Sequence, residues 1–396
     1  MSQLIVDSMS RNVQQPWRAG DPKAQKNESV SEDCLSRYHL VSPPVKHNKE
    51  NDMKAKYRFS FGPWNIHEGA DPFGPTVRSG IPFAKKVKMF KKLGYDGVQF
   101  HDDDAVPGMN DLSDTQIVKK AKEVKRVLDG EGLVAEFVAP RLWEDPRTVD
   151  GGYTSNDPKC RAYAMQRSLR TVDIANALGT KLIVLWLARE GTYLRESKDS
   201  KKAVDYIVEA IDGMLSRDSE MKIAIEPKPN EPMDHTYIPT TGHAIALGLL
   251  SIDPARVGVN IESAHAILAG LDPSDEMGFA LAHNKLFSVH LNDQNGLKFD
   301  EDRSFGSVDL RRAFNQVRIL DKYGYGGNGE FVGLDVKAVR TQKQEVATKH
   351  LSNSRTMFLR LVEVVRGLDE KKMNKLVASR DYEELDMLIL NALMGI

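Results

Sequence analysis

The sequence predicts a (β/α)₈ barrel with a short helical C-terminal extension and a disordered N-terminal tail. Three observations carry this reading. Eight strand-like apolar runs alternate with helical stretches between residues 57 and 365, and such alternation argues for a parallel sheet. Eight repeats over about 300 residues fit a closed barrel better than an open sheet. No Gly-x-Gly-x-x-Gly follows a strand, which argues against a dinucleotide-binding fold.

Residues 1–52 are rich in Ser, Asn, Gln, Lys and Asp, lack an apolar period and read as a disordered tail. The folded pattern begins directly after Met53, which is compatible with a start there. Strands are expected at 57–61, 97–101, 133–138, 181–187, 222–226, 257–262, 286–291 and 329–335. The helix after the first strand spans 82–93. Ser113-Asp114-Thr115-Gln116 is a capping box, followed by Ile117, Ala121, Val124 and Leu128 on one helical face. Asp157-Pro158 starts the next helix and Gly179 ends it. Further helices are expected at 203–215, 241–250, 275–283, 310–323 and 342–365. The barrel domain is thus 53–366, and 367–396 reads as a helical extension suited to a subunit contact.

Composition narrows the function. Net charge is −1, so nothing draws the chain globally to nucleic acid or an anionic membrane. Two cysteines, Cys34 and Cys160, give neither a disulfide framework nor a thiolate cluster and suit a reducing cytoplasm. No apolar run is long enough to span a membrane. The N-terminus lacks the pattern of a signal peptide.

Functional residues of such barrels gather at the carboxyl ends of the strands. Strand one ends near Trp64, strand two in His101-Asp102-Asp103-Asp104 and strand four at Trp186. Strand five ends in Glu226-Pro227-Lys228-Pro229. Its i, i+2 spacing turns Glu226 and Lys228 toward one space, and the two prolines stiffen the backbone between and beyond them. Strand six ends at Glu262, with His265 three residues on. Strand seven carries His290 and Asn292, and its loop holds Asp300 and Asp302. Strand eight ends at Asp335, with Lys337 beyond. One such carboxylate could be an N-cap. Together they converge on one axis, where they could not all ionise. Divalent cations resolve this: oxygen ligands suit Mg²⁺ or Mn²⁺, and imidazole tilts a site toward Mn²⁺ or Co²⁺. There are donors for two ions, with Glu262 able to bridge. A histidine oriented by a carboxylate, as His101 by one of the aspartates after it, is a general acid or base near neutral pH. Trp64 and Trp186 are either core or the apolar wall of a sugar pocket.

From Phe59 to about Lys337 the chain resembles the xylose isomerase family, specifically its shorter, actinobacterial type. The matching segments are Ser60–Trp64, Asp71-Pro72-Phe73-Gly74, Phe100–Asp104, Asp150–Thr154, Trp186 with Arg189-Glu190-Gly191, Ile225–Pro232, Glu262 with His265, and Lys298–Asp302 with Phe305-Gly306. The resemblance implies an aldose–ketose isomerase working by ring opening and hydride shift, on D-xylose and D-glucose. It implies that His101, held by Asp104, assists ring opening and that Lys228 binds the sugar O1. It implies Glu226, Glu262 and Asp335 on one metal, and Glu262, His265, Asp300 and Asp302 on another. Trp64, Trp143, Trp186 and Lys337 would line the substrate. Phe73 would reach the neighbouring site of a homodimer or homotetramer.

Three features depart from the family. His290 stands where the family has a metal-binding aspartate, which predicts a shift from Mg²⁺ toward Mn²⁺ or Co²⁺. With Glu226, Glu262 and Asp335 it also resembles the single-metal set of ketose 3-epimerases; turned outward, it would be a plain strand residue. The third-strand end, Ala139-Pro140-Arg141-Leu142-Trp143, keeps an aromatic at 143, lacks the family's threonines and asparagine, and introduces Arg141, which would add positive charge to the substrate side. The C-terminal arm is shorter, which puts the usual tetramer in question. The rival readings are a related isomerase or epimerase with another sugar, and a sugar-binding relative without activity.

Overall fold

The computed structural model describes residues 57–396 apart from Pro72 and Lys298; the expectation for residues 1–52 lies outside them. Valine, isoleucine, leucine and phenylalanine dominate the strands, as a sheet closed on itself and wrapped by helices requires. In chain order the strands are β1 (Arg58–Phe61), β2 (Gly97–His101), β3 (Val134–Ala139), β4 (Leu182–Trp186), β5 (Gly191–Thr192), β6 (Lys222–Glu226), β7 (His235–Thr236), β8 (Val257–Glu262), β9 (Leu286–Leu291) and β10 (Phe331–Leu334). Eight of them close into a parallel barrel, in the order β1-β2-β3-β4-β6-β8-β9-β10. The short β5 and β7 pair antiparallel outside it.

The helices are α1 (Phe83–Lys92), α2 (Asp102–Ala105), α3 (Asp114–Glu131), α4 (Pro158–Leu178), α5 (Ser200–Arg217), α6 (Thr241–Gly248), α7 (Ser263–Leu268), α8 (Pro273–Ala282), α9 (Leu310–Lys322), α10 (Lys349–Gly367), α11 (Glu370–Ser379) and α12 (Tyr382–Met394). The capping box at Ser113 and the Asp157 cap are both formed, and Gly179 closes α4 with φ 84°. That left-handed backbone favours glycine. The main core lies between barrel and helices, where Val98, Phe100, Ile183, Ile223, Ile225, Val259, Val289 and Val332 are fully buried.

Several boundaries differ from expectation. The helix expected over 342–365 begins only at Lys349. Before it, Arg78 takes the backbone oxygens of Val339, Arg340 and Gln342 and holds that stretch as loop. The last barrel strand is shorter than 329–335 at both ends: Gly329, with φ 93°, lies outside strand geometry, and Asp335 stands one residue past β10. The short α7 grows directly out of β8 and carries His265 on its first turn. Finally, β3 has one extra residue opposite Gln99: Val98 pairs with Ala135 but Phe100 with Val138. This bulge interrupts the two-residue alternation, and Glu136 and Phe137 are both buried.

Register puts the site residues at one height. Trp186 is level with Glu226 and Glu262 with His290, while Gly333 lies beside His290 on the other flank. A Cβ at Gly333 would come within 2.4 Å of the Val289 oxygen and 3.2 Å of the His290 ring. The neighbouring strand's backbone, more than the imidazole, requires glycine there.

Candidate active site

A cavity of about 640 Å³ opens at the carboxyl ends of the strands, lined by Trp64, His101, Trp143, Trp186, Glu226, Lys228, Glu262, His265, His290, Asp300, Asp302, Asp335 and Lys337 among others. Of the site residues expected from sequence, Phe73 alone is outside this wall. Its ring is 80% exposed and packs edge-on against Phe299 at 6.1 Å.

Glu262 is the centre of the polar floor. Its carboxylate belongs to three groups of potential ligand atoms, each within 4.8 Å: with Glu226 and His290, with His265 and Asp300, and with Asp302 and Asp335. His290 points inward, with Nδ1 3.3 Å from Glu226 Oε2 and 3.7 Å from Glu262 Oε2. The outward-facing alternative is therefore excluded. His265 Nε2 lies 2.9 Å from Asp300 Oδ2 and 3.3 Å from Glu262. Asparagines orient the acids: Asn292 donates to Glu262 at 2.9 Å and to Asp302 at 3.1 Å, and Asn260 donates to Glu226 at 2.6 Å. Asp335 accepts from Trp64 Nε1 at 2.9 Å and Asn65 at 2.8 Å.

Burial pushes the pKa of Glu226, Glu262, Asp300 and Asp302 upward, and what each one touches decides the outcome. Glu226 overcomes burial through His290 and His265 and falls to about 2. Asp300 overcomes it through Lys228 and His265 and lies well below the carboxylate range. Glu262 and Asp302 do not: burial and the charge of Asp300 leave both well above it. His290 lies well above the imidazole range, burial being outweighed by Glu226 and Glu262. The wall as a whole carries nine carboxyl groups against five lysine and arginine cations. Oxygen and imidazole donors, crowded until two of the acids hold their protons, fit a metal centre. The ring nitrogens of His290, buried without hydrogen-bond partners, fit it as well.

Lys228 lines the cavity already paired: its ammonium sits on Asp300 Oδ2 at 2.8 Å and Glu231 at 3.3 Å, over the Trp186 ring. Burial would lower its pKa, but Asp300 and Glu231 raise it. Lys337 likewise grips Asp302. Asp302 itself has φ 46°, a conformation strained for most side chains and tolerable for aspartate.

The apolar wall is continuous. His101 lies against Trp64 at 4.2 Å and Trp143 at 5.0 Å, and Trp143 meets Trp186 edge-on at 4.5 Å. The three aspartates after His101 divide their work. Asp102 is buried and forms a two-pronged pair with Arg167 at 2.6 and 2.7 Å. Asp103 bridges Arg167 and Arg141. Asp104 faces His101 Nδ1 at 2.9 Å. Arg141 does not add free positive charge, since Asp103, Asp104 and Glu144 surround it.

Sequence reasoning missed Asn65 and Asn260, which orient ligands, and Glu136 beneath them. Glu136 accepts from Ser60, Gln99 at 3.1 Å and Ser288 at 3.0 Å. Burial raises its pKa against those bonds. A charge inside an apolar strand was the available signal.

A closed parallel barrel with an acid- and histidine-rich mouth defines a TIM-barrel protein with its candidate site at the carboxyl ends of the strands. Residues 87–338 match the model of the xylose isomerase-like TIM barrel family, and the chain belongs to that family. It is 37% identical to a xylose isomerase of Thermus thermophilus over 300 residues, covering 74% of this chain and 76% of that protein. Among solved structures, a D-tagatose 3-epimerase-like protein superposes with a TM-score of 0.55 at 15% identity, over 77% of this chain and 98% of the other. The IOLI protein with a bound zinc atom gives 0.54 at 16% identity, over 77% and 98%. Likenesses this distant speak to the fold alone. Among the described residues, no helix is long and apolar enough to cross a membrane.

Proposed function

We propose that the chain is a metal-dependent aldose–ketose isomerase for a neutral sugar, D-xylose to D-xylulose in the first place and D-glucose to D-fructose in the second. The observation that carries this is Glu262 shared by three donor groups, with Lys228 buried beside them. A single-metal epimerase needs only the set around Glu226, Glu262 and His290. The added group of His265 and Asp300, and that of Asp302, favour two ions. Glu226, Glu262, His290 and Asp335 would hold one, and Glu262, His265, Asp300 and Asp302 the other. When bound, the divalent cations would polarise the sugar's carbonyl and hydroxyl oxygens.

The chain's own groups do the rest. His101, beside Asp104, would meet the ring and anomeric oxygens during opening. In the open chain, C2–H breaks with its electron pair passing to C1, and one proton moves from O2 to O1. Lys228 is an ammonium within the cavity wall and would hydrogen-bond O1 while charge is on it. Trp64, Trp143 and Trp186 would exclude water from C1 and C2, so the hydride is not replaced by a proton from solvent. Lys337 would hold the second metal's acids and the far hydroxyls.

The test is ketose formation from D-xylose and D-glucose by metal-stripped protein resupplied with Mg²⁺, Mn²⁺ or Co²⁺. We expect turnover, with Mn²⁺ or Co²⁺ ahead of Mg²⁺ because an imidazole replaces a carboxylate. His290→Asp should restore Mg²⁺ preference. Deuterium placed at C2 should be retained at C1. Its loss to solvent would favour the epimerase-like, proton-transfer reading, and no ketose with any ion would sink the isomerase.

A further inference from the structure

We infer that Arg141 fixes the tautomer of His101, holding its proton on Nε2, and is a positioning residue for that histidine. Arg141 lies just beyond β3, and its guanidinium reaches the imidazole at Nδ1. Nη2 is 2.6 Å from His101 Nδ1 and 3.1 Å from Asp104 Oδ1. Asp103 Oδ1 holds Nε at 2.9 Å and Glu144 holds Nη1 at 3.2 Å. The side chain is only 17% exposed. Its backbone N–H is fixed by Asp102 at 3.2 Å, which is itself locked onto Arg167. The guanidinium is therefore placed by three acids, and its backbone by a fourth, so it cannot simply turn away.

A guanidinium has only donors and does not deprotonate in proteins. At 2.6 Å, Nδ1 must accept. A proton on Nδ1 would set two N–H groups against each other. One group competes: Asp104 Oδ2 lies 2.9 Å from the same nitrogen and would favour a proton there. Asp104 has other donors, however. Its Oδ2 accepts from the His101 backbone N–H at 3.2 Å and its Oδ1 from Arg141. Nδ1 has no substitute for the arginine. The shorter contact and the permanent donor decide for the lone pair on Nδ1. Among the described residues Nε2 has no hydrogen-bond partner, and the ring borders the cavity. The indoles of Trp64 and Trp143 pack the ring in place and offer it no charge.

The consequence rests on the isomerase reading for its meaning. His101 faces an incoming sugar as a hydrogen-bond donor to an oxygen lone pair, not as a base. The same pair without Arg141 would present the opposite polarity, with Nδ1–H on Asp104 and a lone pair toward the sugar.

Histidine-selective ¹⁵N labelling of the Mg²⁺-loaded protein tests this through the long-range ¹H–¹⁵N spectrum, with His101 assigned by its loss in His101→Gln. We expect an unprotonated Nδ1 and a protonated Nε2. In Arg141→Met the proton should move toward Asp104, changing the tautomer ratio by about tenfold or more, as loss of a charge-assisted hydrogen bond implies. A wild-type spectrum with the proton on Nδ1 overturns the inference without any variant. So does an unchanged ratio in Arg141→Met. If the protein turns over no sugar, the spectrum still decides the tautomer, and only the isomerase reading falls.

Discussion

Glu262 is the residue on which the site's electrostatics turn. It cannot ionise freely beside Asp300, and Asp302 is in the same position. The sign of the resulting pH dependence follows. Both acids keep their protons below their raised pKa values, and His290 keeps its own there too. A cation must displace those protons, so its affinity rises with pH. We expect titration calorimetry in two buffers of different ionisation enthalpy to detect proton release on Mn²⁺ binding. The dissociation constant should fall by about tenfold per pH unit for each proton released. A pH-independent affinity with no proton release would refute this protonation pattern. Much of the set was legible at this scale, because strand-end carboxylates with an i, i+3 histidine are visible in one dimension. Glu136 was not: its burial depends on a bulge in β3, and one extra residue in a strand leaves no mark on an apolar run. The grip of Arg141 on His101 was not legible either, since it joins a loop to a strand end 40 residues away.

Elements explain why the matching segments have the residues they have. Glu190 accepts from the backbone N–H groups of Gly152, Tyr153 and Thr154 and from the Thr154 hydroxyl, and so shapes the loop at 151–154. Next to it, β5 pairs with β7 so closely that a Cβ on Gly191 would come within 2.2 Å of the His235 oxygen. That pair ties the Lys228 loop to the Arg189 loop, with Tyr237 N–H bonding the Glu190 oxygen at 2.9 Å. Two-residue strands fall below any periodicity, so neither was readable beforehand, whereas the long capped helices α3 and α4 were. Closure of the barrel shows the same dependence on packing. Phe358 of α10 meets Tyr57 at 4.9 Å, Phe59 at 5.5 Å and Phe305 at 6.2 Å. It fills the seam where α10, the helix after the last barrel strand, covers the first strand. Phe358→Ala should cost about 3–5 kcal/mol, read as a lowered denaturation midpoint. Turnover at low temperature should persist, since the residue is remote from the cavity. A loss under 1 kcal/mol would mean the seam collapses to fill the gap.

For the whole molecule, the question is how the cavity mouth is completed. Phe73 rides on a tight loop in which Asp71 and Gly74 bond each other, and Arg340 clasps the Gly69 and Pro75 oxygens at 2.6 Å each. This loop is built to hold its tip, yet the tip shows an 80% exposed phenyl ring that meets the partly exposed Phe299 edge-on. Exposed apolar groups clustered on a braced loop mark an interaction surface more often than a solvent face. We expect the partner to be a second copy, with each Phe73 closing the apolar side of the other's cavity. Light scattering at micromolar concentration should then give a dimer or larger assembly. Phe73→Ser should weaken it and raise KM for the sugar by about tenfold, ~1.4 kcal/mol of lost contact, with metal affinity unchanged because no metal donor lies on this loop. A wild-type monomer with full activity would remove the idea. So would a Phe73→Ser protein that keeps both its assembly and its KM, because the ring would then be an ordinary exposed residue on a well-braced turn.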